Sequence, residues 1–421
     1  MVSREYIVDA AREAGFDLCG VARVRVLEEH KAPFARWLEA GYDSRMGYMS
    51  RNFERRFDPA ALVEGARTVV VCAVSYKSAA SLREPATAAA EHFVCAGPSQ
   101  MRQPLVSSYA LARDYHPTIK GMLERVLEKI REVEPGVSGR AFCDTAPLLE
   151  KAWAVEAGIG WQGNNGLVIN PRLGSFILLG ELVIDAEVES YSESCGVGYV
   201  GGESVDKGRD SEERGDRERC GRSLGEGGGG AFGEGRCGDC RLCIDHCPTG
   251  AIVASRVIDT NRCISRLTVE APIENATSPA SVGGGRSSRP GLTACASQAL
   301  AVPSAAANPL PPTPTGATGA QSVPARVEAK RLAGRSVQPV AQHATPPALH
   351  GWIFGCDICQ RVCPWNRHAP DHTNPAFDPV IDAGELTPEF WRSLTRERFD
   401  ELFGQTPLAR RGYDRIMEKI R

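Results

Sequence analysis

The chain has 421 residues, 42% hydrophobic content and a formal net charge of −3, enough for two domains with cores of their own. No apolar run approaches the roughly 18 residues of a membrane helix, which excludes that class, and so small a net charge names no partner. The N-terminal MVSREYIVDAAREAGFD is a charged amphipathic start and not an apolar leader, so a reducing cytoplasm is the expected compartment.

Helical and strand patterns alternate from Ser3 to about Glu187, which marks 1–188 as an α/β block. Helices are predicted over Arg4 to Ala14, Ala32 to Ala40 and Thr118 to Val133, with strands over Thr68 to Val74 and Phe176 to Ile184. Asp144 and Thr145 stand where residues capping a helix through Glu156 would stand, and GIGWQGNNG predicts a tight loop before a strand. Residues 189–236, rich in Gly, Ser, Glu and Arg, and 271–346, rich in Ala, Pro, Ser and Gly, read as low-complexity insertions. Neither holds enough apolar surface to offset its ordering entropy, so the second is expected to be disordered. Between and after them lie two cysteine-bearing blocks, 237–270 and 347–368. The tail, 369–421, is expected to be helical, with an apolar face of Trp391, Leu394, Phe399, Leu402 and Phe403.

Eight of the 15 cysteines carry the chemistry. Cys237, Cys240, Cys243 and Cys247 are spaced C-x2-C-x2-C-x3-C before Pro248, the run in which three thiolates hold one cubane and the fourth reaches a second. Cys356, Cys359 and Cys363 precede Pro364, and Cys263 stands alone, so eight ligands are present for two [4Fe-4S] clusters. The exchange of ligands in two-cluster ferredoxins assigns Cys237, Cys240, Cys243 and Cys363 to one cluster and Cys247, Cys263, Cys356 and Cys359 to the other. Zinc uses paired ligands and has no need of the third cysteine or the proline, and a disulfide framework belongs to short secreted chains. The loop of roughly 80 residues between the blocks adds only a logarithmic closure cost.

Two further segments suggest a pocket. Arg113 to His116 places an acid, a phenol and an imidazole within one turn, and the run from Cys143 to Gly180 combines the possible helix cap with the Gly-rich loop. From position alone Asp144 reads as a cap and His116 as a structural histidine, and the loop lacks the glycine pattern of a nucleotide site.

The segments SRNFERRFDP (50–59), ARDYH (112–116), DTAPLLEKAWAVEAGIGWQGNN (144–165), CGDCRLCIDHCPTGAI (237–252), RCISRLTVE (262–270) and GWIFGCDICQRVCPWN (351–366) together resemble the epoxyqueuosine reductases. The resemblance implies an α+β protein: a cobalamin-binding catalytic domain followed by a ferredoxin-like two-cluster domain, in which epoxyqueuosine in tRNA is reduced to queuosine. It implies Asp144 as the proton donor, which reverses the capping reading, with a carboxyl raised in pKa by burial. Asp114 matches a second functional aspartate, with Tyr115 and His116 in the same pocket. Arg56, Ser107, Asp144, Val168, Leu179 and Gln360 match positions expected to touch cobalamin. The implied partners are the anticodon arm of tRNA and an external low-potential electron donor, and the protein is expected to act as a monomer. Members commonly carry lysine where Asn164 stands. Phosphate contacts are expected from the ERRF region and from Arg410, Arg411 and Arg415. A reductive dehalogenase would share the cofactors, and a plain ferredoxin-type carrier would leave the DTAP and RDYH segments without purpose.

Overall fold

A computed structural model describes residues 1–44, 46–82, 104–192, 237–270 and 348–420. These belong to one compact unit. Nearly all of both proposed insertions lies outside the described residues.

The centre is a four-stranded sheet of β1 (Leu18–Arg23), β2 (Thr68–Ser75), β3 (Gly139–Phe142) and β4 (Ile177–Ile184), in the order β1-β2-β4-β3. Every pairing is antiparallel. All eight residues of β2 are buried, because both faces of the sheet are covered. On one face, Cys19, Val21, Val70, Cys72 and Leu182 pack against Ile7, Ala10 and Ala11 of α1 (Arg4–Glu13) and Ile119, Leu123 and Val126 of α3 (Tyr115–Val133). On the other, Leu18, Val69, Val71, Phe142 and Val183 meet Trp153 and Ala154 of α4 (Glu150–Glu156).

The helix ends differ from expectation for local reasons. The second helix, α2 (Glu28–Glu39), begins four residues before the predicted start and accommodates Pro33 in its interior. Asp114 caps α3 by accepting from the His116 amide at 3.1 Å, which moves its start back to Tyr115. The helix expected from Asp144 starts only at Glu150, with Leu149 at its cap. Pro147 disfavours helical geometry at the residue before it, and Asp144 adopts a positive φ of 53°. The predicted Gly-rich loop is the turn of a hairpin pairing Trp161–Gln162 with Val168–Ile169.

Trp352–Phe354 runs parallel to Leu105–Val106, so the second cysteine block is joined to the first half of the chain by backbone pairing. The tail is helical as predicted. Trp391, Leu394, Phe399 and Phe403 are buried there with Ile353 and Phe354, and Leu402 packs against them. Among the described residues no helix is long and apolar enough to cross a membrane.

Candidate active site

Cys243 lies in the short helix Leu242–Asp245 and Cys359 in Ile358–Arg361, while Cys263 and Cys363 cap Ile264–Val269 and Pro364–Arg367. Cys237, Cys240, Cys243 and Cys363 line one small pocket with Asn164, Asn165, Ile169 and Trp365. Burial pushes the Cys243 thiol up to about 12, and Cys237, Cys363 and Cys240 add to the rise. Cys356 is likewise raised by burial and then, among other charges, by Cys263 and Cys247. For Cys359, burial is followed by Cys356 and Cys263, and also by Cys243, so the two quartets are neighbours. Four thiols this crowded ionise together only against a compensating cationic core, which is what an iron–sulfur cluster supplies. Among the described residues no three His, Cys, Asp or Glu side chains close on a single ion, and a cubane spreads its ligands over separate corners. Asn164, standing where lysine is common, donates to the Cys240 carbonyl at 2.8 Å and accepts from Ser255 Oγ at 2.6 Å. It therefore fastens the hairpin to the cluster loop.

From the second quartet a polar and aromatic wall leads away. Gln360, next to Cys359, is buried and donates to the Ser175 carbonyl at 2.8 Å and to the Tyr76 hydroxyl at 3.2 Å. Tyr76 meets Tyr109 edge-on at 6.5 Å, and Tyr109 meets Tyr115 at 6.0 Å. The Tyr115 hydroxyl donates to Asp144. A contiguous line of side chains thus joins a cluster ligand to the candidate proton donor.

Around Asp144 the charges are ordered. Its side chain is 48% exposed, so the carboxyl is open to solvent. His116 Nε2 lies 3.9 Å away, while Asp114 holds the other ring nitrogen at 2.6 Å and takes an ion pair from Arg410 at 2.9 Å. Glu150 accepts from the Asp144 amide at 2.6 Å. Burial works to raise Asp144, yet hydrogen bonds from Glu150 and Tyr115, with the nearby His116 and Lys151, hold it below the ordinary carboxylate value. Glu150 moves the other way, raised by burial, then by Glu181 and Asp144. The expected raised pKa at Asp144 is therefore found on its neighbour. Burial thus favours the neutral form of Glu150, while the partners of Asp144 favour its charged form.

The other expected contacts occupy varied positions. Leu179 is half-buried on β4, and its carbonyl accepts from Cys143 Sγ at 3.4 Å. Val168 is 3% exposed in the core against α4. Ser107 donates its hydroxyl to the buried Asp357, which also accepts from the Ser108 amide at 2.8 Å, so this turn anchors the loop after Cys356. Arg56 is buried and donates to the Met49 carbonyl at 3.0 Å. Its guanidinium is thereby withdrawn from the phosphate role expected of the ERRF region. Arg410 faces Asp114, and Arg415 pairs with Glu418 at 2.9 Å, so these charges are engaged within the protein.

Sequence reasoning did not single out Glu150, Glu181, Tyr76 and Asp357, which the fold brings into these contacts. Glu181 had a signal: it is the lone charge in the apolar strand ILLGELVI. The others carry no signal apart from their contacts.

Comparison with known proteins agrees with this arrangement. Residues 56–145 match the family described as "Epoxyqueuosine reductase QueG, DUF1730", and residues 236–283 match a 4Fe-4S double cluster binding domain. An epoxyqueuosine reductase of Pseudomonas aeruginosa is 32% identical over 420 residues, spanning 98% of this chain and 82% of the relative. One from Cyclobacterium marinum is 28% identical over 416 residues, spanning 99% and 95%. In fold, the chain resembles a crystal structure of an epoxyqueuosine reductase with an epoxyqueuosine-modified tRNA stem loop, at a TM-score of 0.60 and 18% identity, over 99% of this chain and 79% of that one. The enzyme from Streptococcus thermophilus superposes at 0.59 with 21% identity, over 98% and 78%. A relative 32% identical over 98% of this chain and 82% of its own length settles the lineage: the chain belongs to the epoxyqueuosine reductase family.

Proposed function

We propose that this protein reduces the epoxide of epoxyqueuosine in tRNA to the alkene of queuosine, with Asp144 delivering a proton to the departing oxygen. The observation that carries the assignment is the position of Asp144 at an open recess, aligned by Tyr115 and His116 and joined through Tyr109, Tyr76 and Gln360 to the Cys359 quartet. Removing the oxygen as water consumes two electrons and two protons. Two [4Fe-4S] clusters held by the quartets Cys237, Cys240, Cys243, Cys363 and Cys247, Cys263, Cys356, Cys359 store and pass single electrons from an external low-potential donor.

Cobalamin, when bound, supplies a cobalt centre that accepts single electrons and delivers two to carbon. Its fit rests on the region between the second quartet and Asp144, where Leu179 is half-buried, while Gln360, Tyr76, Arg56, Ser107 and Val168 are buried and hold that region from within the fold. The chain's own task is to orient the nucleoside, exclude water and present the Asp144 proton; Asp114 keeps His116 turned toward Asp144. The tRNA substrate is supported by the relatives' shared activity and by the stem loop bound to the structural neighbour.

The test is anaerobic turnover with reconstituted clusters, added cobalamin, a low-potential reductant and epoxyqueuosine-containing tRNA, followed by nucleoside analysis. Queuosine should form, and Asp144→Asn should slow its formation by about 10²–10⁴-fold. Failure of the wild type to convert its substrate, or an Asp144→Asn variant at full rate, overturns the reading.

A further inference from the structure

Asp144 by itself can supply one proton, whereas loss of the epoxide oxygen as water takes two. The two C–O bonds break in turn, with two electrons from the clusters' external donor. One proton goes to the oxygen as the first bond opens and the other as the second bond breaks and water leaves. The recess therefore needs a second acid, or fast access to solvent between the two events. The molecule places two carboxyls directly behind Asp144.

Glu150 is the first residue of α4, and its carboxylate accepts from the Asp144 amide at 2.6 Å. Glu181 lies in the middle of β4, opposite Val71 of β2 and Phe142 of β3, on the face that packs against α4. It is fully buried, and neither of its carboxyl oxygens has a hydrogen-bond partner. An ionised carboxylate in that position would carry a large desolvation cost with nothing to offset it. We propose that Glu150, with Glu181 behind it, is the proton reserve that reloads Asp144 within a single turnover. This rests on the assignment of Asp144 as donor.

The surroundings favour that role. The titratable groups around the pair are Cys143 just after β3, Cys72 on the far face of β2, Asp144 from the preceding loop and, beyond Asp144, Tyr115, His116 and Lys151. Burial followed by carboxyl charge dominates at both Glu150 and Glu181, and raises both. At most one member of such a pair ionises easily, so the pair keeps a proton beside Asp144. When Asp144 has spent its proton, Glu150 is the acid already hydrogen-bonded to it. Transfer leaves a single anion on the pair, which solvent neutralises between turnovers. Glu150 acts through Asp144 and is a positioning residue that also holds a proton.

Glu150→Gln separates this from a purely structural role, because the amide can accept from the Asp144 amide and donate to its carboxylate but cannot give up a proton. The variant should retain its clusters and its KM for the tRNA while kcat falls at least tenfold. Its rate should also fall about tenfold per pH unit near neutrality, where Asp144 must then be recharged from solvent. Glu150→Ala should do no better. Infrared spectra of the cofactor-free wild type should contain a protonated-carboxyl stretch near neutral pH that Glu150→Gln removes. Wild-type kcat and pH profile in Glu150→Gln, or absence of that band, overturns the reserve even while Asp144→Asn remains inactive. An active Asp144→Asn variant would instead overturn the assignment on which it rests.

Discussion

The sheet and the cluster-binding segments are stabilised by different forces, although they pack into one unit. In the sheet, eight-residue strands pair along their whole length and bury Trp153, Phe142 and Phe176 between helical layers. In the cluster segments the helices are four to six residues long, a strand such as Val257–Ile258 has two, and the local core is Trp161, Ile169 and Cys363. One-turn helices are not stable by propensity. Apolar burial suffices for the first region, whereas the second depends on ligand bonds to iron for most of its order.

The strongest way to break that contrast is to remove iron. Anaerobic chelation should abolish amide protection around 237–268 and 356–367, with a loss on the order of the 10 kcal/mol seen for structural metals, while 68–75 and 177–184 stay protected in hydrogen exchange. Collapse of sheet protection as well would show that the sheet is not self-sufficient.

A narrower cut is Cys363→Ser, which should lower bound iron from about eight to about four per chain and leave the second quartet's spectrum in place. Loss of all iron would mean that the two sites assemble as one.

The reciprocal change, Trp153→Ala, should cost about 3–5 kcal/mol in chemical denaturation without releasing iron from the folded protein. A cost below about 1 kcal/mol would remove the helix-on-sheet face as a source of stability.

The smallest effect concerns Glu181. Because its carboxyl is raised in the fold by burial and then by Asp144, wild-type stability from this group is complete below the unfolded value of about 4.3 and declines as pH rises toward the folded value. Glu181→Gln lacks that loss, so its stability relative to wild type should improve by up to about 1.4 kcal/mol per pH unit over that window. Parallel stability–pH curves would mean that Glu181 is ionised in the fold.

Much of this architecture could be read from residue order. Strands 68–75 and 177–184 follow from uninterrupted apolar runs, and the tail's buried face follows from helical spacing. Asp144 was misread as a cap because Ser, Thr, Asn and Asp before a helical run usually are caps; Pro147 postponed the helix, and Asp114 is the aspartate that caps. The basic tail looked free for phosphate because pairing across the fold, Arg410 with Asp114, leaves no local trace.

By itself the sequence pointed to the cluster chemistry, since two closely spaced cysteine runs with Cys263 between them match the ligand count of two clusters. Only the tertiary structure decided which carboxyl is raised and which is lowered. The affinity of a carboxyl depends on burial and on neighbours, and those of Asp144 come from 114–116, 150 and 181, residues that only folding brings to one recess.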